Sequence, residues 1–324
     1  MSEEAKKEDA AGATEQSGSL IDDLLATSKV RPGNESYDIT RQGIQAFISS
    51  LLEPGKTTDR VTAGLADEMI AELDKKLCRQ VDEILHHPDF QRLESSWRSL
   101  KFLIDRTNFR ENIKIEVMNA SKEDLLSDFE DAPEITKSGL YKNCYTAEYG
   151  QFGGQPYGAI VANYEVGPGA SDIKLLQDCA SVAAMSHAPF IAAAGAEFFG
   201  IDDFTKLPDL KDLSSIFESP VYTKWQGFRA SDDARNVGLA LPHFLLRTPY
   251  GQDTTPAKTF NYEETVSEGH DKFLWGNAAF AFASRLTESF ADYRWCANII
   301  GPRGGGTVGD LPIYNYEAMG EIQT

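Results

Sequence analysis

The chain has 324 residues, of which 41% are hydrophobic and 26 are glycine. That apolar share is close to the globular norm of about 45–50%, so a large core can form, and whole-chain disorder, collagen-like and disulfide-scaffold classes are excluded. Fifty acidic against 31 basic residues give a formal net charge of −19, a field that repels nucleic acid and anionic lipid.

At about 150 residues per domain, the length suggests two domains. The opening MSEEAKKEDA is polar and acidic and does not resemble a secretory signal. Residues 1–19 hold no large apolar side chain after Met1 and are expected to stay disordered. A short island follows. Ser19 suits an N-cap, and Asp22 and Asp23 suit a first helical turn. Leu20 and Leu24, like Ile21 and Leu25, are four apart and make one apolar stripe. So short a helix is not stable alone; it either docks on its own domain or is a peptide read by a partner. A loop through Pro32, Gly33 and Asn34 leads to a further helix expected over 37–52. Residues 1–59 thus form an acidic flexible tail with a short amphipathic helix and linker.

Residues 60–109 predict a helical hairpin. Leu65, Met69, Leu73, Leu77, Val81 and Ile84 recur at helical spacing up to Pro88, and Phe90, Leu93, Trp97, Leu100 and Ile104 follow with almost no loop between. From 110 onward the period changes. Ile113, Ile115 and Val117 alternate as in a strand, and Ser121 with Asp124 suggests a capping box. Strands are expected at 157–166, 189–194, 237–247 (with Pro242 at an edge or bulge) and 295–300. Helices are expected at 171–187, capped by Ser171, and at 275–293. Residues 110–324 are therefore expected to be an α/β (mixed α+β) body.

The chemistry-bearing residues are sparse. Cys78, Cys144, Cys179 and Cys296 lie far apart with no CxxC pair, as expected of buried, reduced thiols in a cytoplasmic protein. The apolar stretch 182–199 is broken by His187, Pro189 and Glu197 and reads as core rather than a membrane span; His187 is expected to be a hydrogen-bonded core histidine. Adjacent His86 and His87 on a helix point about 100° apart and do not converge on one ion. His243 and His270 have no nucleophile context. The loop Gly301-Pro302-Arg303-Gly304-Gly305-Gly306 is the best enzyme lure, since glycine turns after strands cradle phosphates, yet it lacks the Walker lysine and the GxGxxG spacing. Arg229, Asp232, Asp233 and Arg235 form a charged cluster expected to fix a loop or an interface. No catalytic, cofactor-binding or metal-binding residue is assigned. The alternative to a structural protein is a cytosolic α/β enzyme that binds a phosphate-bearing ligand at 301–306.

Several longer motifs, in order, carry a resemblance. They are His86-His87-Pro88-Asp89-Phe90 with Leu93-Glu94, Trp97-Arg98 and Leu100; then 188–194; Leu241-Pro242 with 244–247 and Pro249-Tyr250-Gly251; Phe260-Asn261-Tyr262-Glu263-Glu264; and 274–279. These resemble the TssC/VipB (EvpB-like) family, the large subunit of the type VI secretion contractile sheath. The resemblance implies a non-enzymatic protein, without cofactor, whose partners are a small TssB/VipA-like sheath subunit, further copies of itself, the Hcp inner tube, the baseplate and the ClpV AAA+ ATPase, and which neither binds nucleic acid nor inserts into membranes. It implies a sheath-like body with a mixed sheet. Contraction of the sheath around the Hcp tube then drives protein secretion. The family's ATPase reads a short N-terminal helix, and the matching positions are Leu20, Ile21, Leu24 and Leu25. The family also implies a longer chain, so a body incomplete at its C-terminal end is expected.

Overall fold

The computed structural model describes residues 63–313 except 259, 267 and 268, with side chains from residue 70, and two further short strands by their backbone. The tail, the helix expected around 19–25 and the helix at 37–52 lie outside the described residues. The chain divides into two compact units, Met1–Glu72 and Leu73–Thr324. The second contains every element below except the opening turns of the first helix.

Helix α1 spans Ala63–Leu85 and helix α2 Pro88–Asp105. Pro88 sits at the first helical position, where its missing N–H costs nothing. His87 is the N-cap, and its Nδ1 accepts from Asp89 N at 3.3 Å. The two helices follow one another as their periodicity predicts. The alternation at Ile113, Ile115 and Val117, by contrast, makes no strand: 113–120 has no ladder partner among the described residues. Ile115 packs beside Leu103 and Phe280, while Val117 is exposed. Period-two burial needs only one apolar neighbour, and here helices supply it. Helix α3, Lys122–Asp131, opens on the expected capping box: Ser121 Oγ accepts from Asp124 N, and Asp124 Oδ2 accepts from Ser121 N.

The body is built on a parallel sheet of β1 (Ile160–Val166), β2 (Phe190–Ala194) and β3 (Val237–Ala240), in the order β1-β2-β3. Helix α4, Ala170–Ser186, makes the β1–β2 crossover. Its N-cap is Gly169, without a side-chain bond, rather than Ser171, which lies one residue inside the first turn. His187 is not a core histidine. It ends α4 in the left-handed conformation at φ 54° and is exposed, because the chain reverses there toward β2. All five β2 residues are buried, as expected of a central parallel strand covered on both faces. Phe190, Ala192 and Ala194 join Leu175, Leu176 and Cys179 of α4 in the main core. Val161, of opposite parity on β1, packs with Leu103, Phe280 and Ala283. So α4 lies on one face of the sheet, and α2 with the later helix α6 lies on the other.

Between β2 and β3 a short helix α5, Thr223–Arg229, adds Phe228 to the main core. The strand expected at 237–247 is two strands. β3 ends at Ala240, a cis Leu241–Pro242 bond follows, and β4 (Phe244–Leu245) pairs antiparallel with β5 (Trp275–Gly276). Hence the helix expected from 275 begins later, as α6, Ala278–Tyr293. Trp275 and Gly276 belong to β5. No strand forms at 295–300: Trp295 and Ile300 are 73% and 79% exposed, after a left-handed cap at Arg294. The strands β6 (Tyr316–Ala318) and β7 (Glu321–Gln323) pair antiparallel. The body is thus mixed α/β, as the sequence predicts.

Asn277 joins two layers. Its Oδ1 accepts from Ala279 N at 2.8 Å as the cap of α6, and its Nδ2 donates to Tyr164 O of β1 at 3.2 Å. It is 7% exposed. Asn277→Ala should therefore cost about 1–2 kcal/mol, near the upper end for a lost cap. Urea denaturation of the two proteins measures the difference.

Candidate functional site

Motifs far apart in the sequence meet in one buried ionic network. Glu264, whose side chain is 1% exposed, receives Arg247 Nη1 at 2.6 Å and Tyr250 N at 2.9 Å on Oε2. Its Oε1 lies 3.2 Å from both Arg247 Nη2 and His86 Nε2. Glu94 of α2 receives Arg98 Nε at 2.6 Å and Arg247 Nε at 3.1 Å. Arg98 also donates to Tyr250 OH, and the Arg247 guanidinium lies 4.5 Å from the Tyr250 ring centre. Two arginines thus face two carboxylates. Burial works against the Arg247 charge, but Glu264 and then Glu94 outweigh it and raise its pKa. Nearby, Tyr262 OH donates to Asp82 of α1 at 2.5 Å; burial and that bond push the phenol up. Each of these side chains has a partner in the network, and Glu94 Oε2 is the one buried oxygen there that accepts no hydrogen bond. The network fastens α1 and α2 to the 247–264 segment. The two adjacent histidines diverge, His86 into this network and His87 to its cap.

The outer side of the same helices is apolar and open. Leu73, Leu77 and Ile84 on α1 are 45%, 44% and 59% exposed. On α2, Leu93, Trp97 and Ile104 lie at spacings of four and seven, and Trp97 is 67% exposed. These residues carried the expected periodicity, but among the described residues they cover no core. Helical spacing tells that a face is apolar, not what covers it.

A third cluster was not visible in the sequence. Asp203, His243 and His270 bring one ligand atom each to within 4.8 Å of one another. The two Nε2 atoms are 3.1 Å apart, and Asp203 Oδ1 is 3.6 Å from His270 Nε2. Burial, and then the His270 charge, hold His243 down to about 4. Burial also lowers His270, against the pull of Asp203 and Asp271. The three positions are 40 and 27 residues apart, with no spacing signal of the kind that marks a ligand set on one helix.

The glycine loop is closed on itself. The amides of Gly304 and Gly306 both donate to Gly301 O, at 3.2 and 2.9 Å, so neither points outward to a phosphate. In the 229–235 cluster Arg235 pairs with Asp232 at 2.8 Å, and Asp233 accepts from Ser181 of α4 at 3.0 Å. The Ser181 bond ties the loop to α4, and Arg229 stays exposed. Cys144 and Cys179 are buried, with thiols pushed up by burial; Cys78 is half-buried, Cys296 is exposed, and all four are free.

Residues 67–324 match the family model described as EvpB/VC_A0108, tail sheath N-terminal domain (VipB). The chain belongs to this VipB tail-sheath family. A curated relative, the type VI secretion system sheath protein TssC1 of Pseudomonas aeruginosa PAO1, is 37% identical over 306 residues. That alignment covers 94% of this chain and 61% of the relative, so the chain spans less than two thirds of the relative's length. The VipB-like motifs quoted above now have a physical reading: His86, Glu94, Arg98, Arg247, Tyr250 and Glu264 are members of one network. Among the described residues of this VipB-family chain, no helix is long and apolar enough to cross a membrane. Leu20, Ile21, Leu24 and Leu25 lie outside the described residues.

Proposed function

We propose that this chain is the large sheath subunit of a type VI secretion apparatus, a cytoplasmic protein without catalysis of its own. In this reading it pairs with a small TssB/VipA-like subunit, stacks with further copies into a tube around Hcp on a baseplate, and contracts. The observation that carries the reading, beside family membership, is the apolar face left open on α1 and α2. Large apolar side chains exposed at helical spacing along one face of each helix are the kind of surface that marks a protein contact. A repeated contact that does not close on itself generates a helix, which is the geometry of a tube. The inward-turned amides of the 301–306 loop favour this reading over a phosphate-binding enzyme.

Co-expression with a TssB/VipA-like small subunit and negative-stain microscopy test it: tubes or tube fragments are the expected product. Trp97→Asp should abolish assembly while changing the chain's own stability by less than about 0.5 kcal/mol, as for surface positions generally. Assembly undisturbed by Trp97→Asp would refute the role of that face.

The short helix at 19–25 is, in the same reading, the handle for a ClpV-type ATPase. Leu20, Ile21, Leu24 and Leu25 are spaced as anchors of a helix in a groove. Leu24→Asp with Leu25→Asp would put two unpaired charges into that groove, at a cost of several kcal/mol. Binding of a peptide of residues 15–32 to the ATPase's N-terminal domain should then be lost. Equal affinity of the two peptides would refute the assignment.

A further inference from the structure

We propose that Asp203, His243 and His270 form a binding site for one divalent transition-metal ion of the zinc class, held by the Asp203 carboxylate and Nε2 of each imidazole. The site stands apart from the ionic network and from the exposed faces of α1 and α2. Ligands at about 2.0–2.1 Å around a tetrahedral ion lie about 3.3 Å from one another. Two of the three separations, 3.1 Å between the two nitrogens and 3.6 Å from the carboxylate oxygen to His270, lie near that value, and the third, between Asp203 and His243, is within 4.8 Å, so Asp203 has to move closer to His243 to close on an ion. A hydrogen bond between two imidazoles would account for the first distance alone. Asp203, ion-paired with His270 at 3.6 Å and held by its cap bond to Thr205 N, brings a carboxylate to the same point.

The ligand-bearing segments are held in place from outside the cluster. The rings of His243 and His270 both stack on Trp275 of β5, with centroids at 4.1 and 4.3 Å and planes tilted by 28°. Phe204 meets His243 edge-on at 4.7 Å. Trp275 Nε1 donates to His270 O at 2.8 Å, and Asp203 accepts from Thr205 N. Such supports orient a ligand before the ion arrives. Two imidazoles and one carboxylate, without thiolate, suit zinc, cobalt or nickel; calcium and magnesium take oxygen ligands. Three protein ligands leave a fourth position for water. The three residues come from the segment after β2, the β3–β4 link and the approach to β5. An ion would therefore cross-link three connections on the parallel sheet and the β4–β5 pair, and fasten the loops between them.

The test uses the full 324-residue chain, stripped with a chelator and titrated with zinc ion alone. One ion per chain is expected to bind. His243→Ala and Asp203→Asn should each weaken binding by about 100-fold or more, beyond the 10–100-fold typical of outer-shell changes. His187→Asn, at an exposed histidine outside the cluster, should leave binding unchanged. X-ray absorption of the zinc-loaded unsubstituted chain reads the site even if a variant misfolds. It should show two imidazoles with nitrogen and oxygen neighbours only. No saturable binding, binding insensitive to His243→Ala in a folded variant, or a sulfur neighbour would each overturn the proposal.

Discussion

Glu264→Ala is expected to lower the unfolding free energy by about 3–5 kcal/mol, the usual cost of removing one partner from a buried ion pair. The side chain it removes is 1% exposed and accepts from Arg247, Tyr250 N and His86. Arg247, itself 10% exposed, would keep only Glu94 as a counter-charge. Urea denaturation should show a lower midpoint at unchanged slope. The exposed pair Arg235–Asp232, 70% and 95% exposed, provides the contrast. Arg235→Ala there should change stability by no more than about 1 kcal/mol, because water already screens both charges. If Glu264→Ala costs no more than Arg235→Ala, the network does not fasten α1 and α2 to the body. Replacing Glu264 and Arg247 together by Leu and Met should recover much of the loss, since no charge is then left buried alone.

Phe190→Ala should be about as damaging, at about 3–5 kcal/mol for a large aromatic deleted from a packed core. Phe190 is 2% exposed at the start of the central strand, pairs with Ile160 on one side and Val237 on the other, and packs in the α4 core. The surrounding wall cannot collapse into the void, because β2 is held by ladders on both edges. Denaturation of this variant measures the loss; a change under about 1 kcal/mol would mean that the core relaxes freely. The same deletion at Trp97, 67% exposed, should scarcely affect the isolated chain. The two aromatics thus separate what folds the body from what is free to join it to a neighbour.

Local signals in the sequence determined the elements whose cause is local. The helices α1 and α2 follow from apolar spacing and Pro88, α3 from the Ser121–Asp124 box, and the buried β2 from its unbroken apolar run. The motifs of 86–100, 247–251 and 260–264 point to the family without any knowledge of contacts between them, and the match of 67–324 bears that out. Only the tertiary structure decided how those motifs are used. A carboxylate at 94, a guanidinium at 247 and a carboxylate at 264 become a network when α2 is laid against the later segment. Period two at 113–117 was satisfied by helices and made no strand. The run at 237–247 broke because β4 left the parallel sheet to pair with β5. Asp203, His243 and His270 meet because three connections come together beside the β4–β5 pair. Sequence spacing records which residues share a face of one element; it does not record which connections the fold brings to one point.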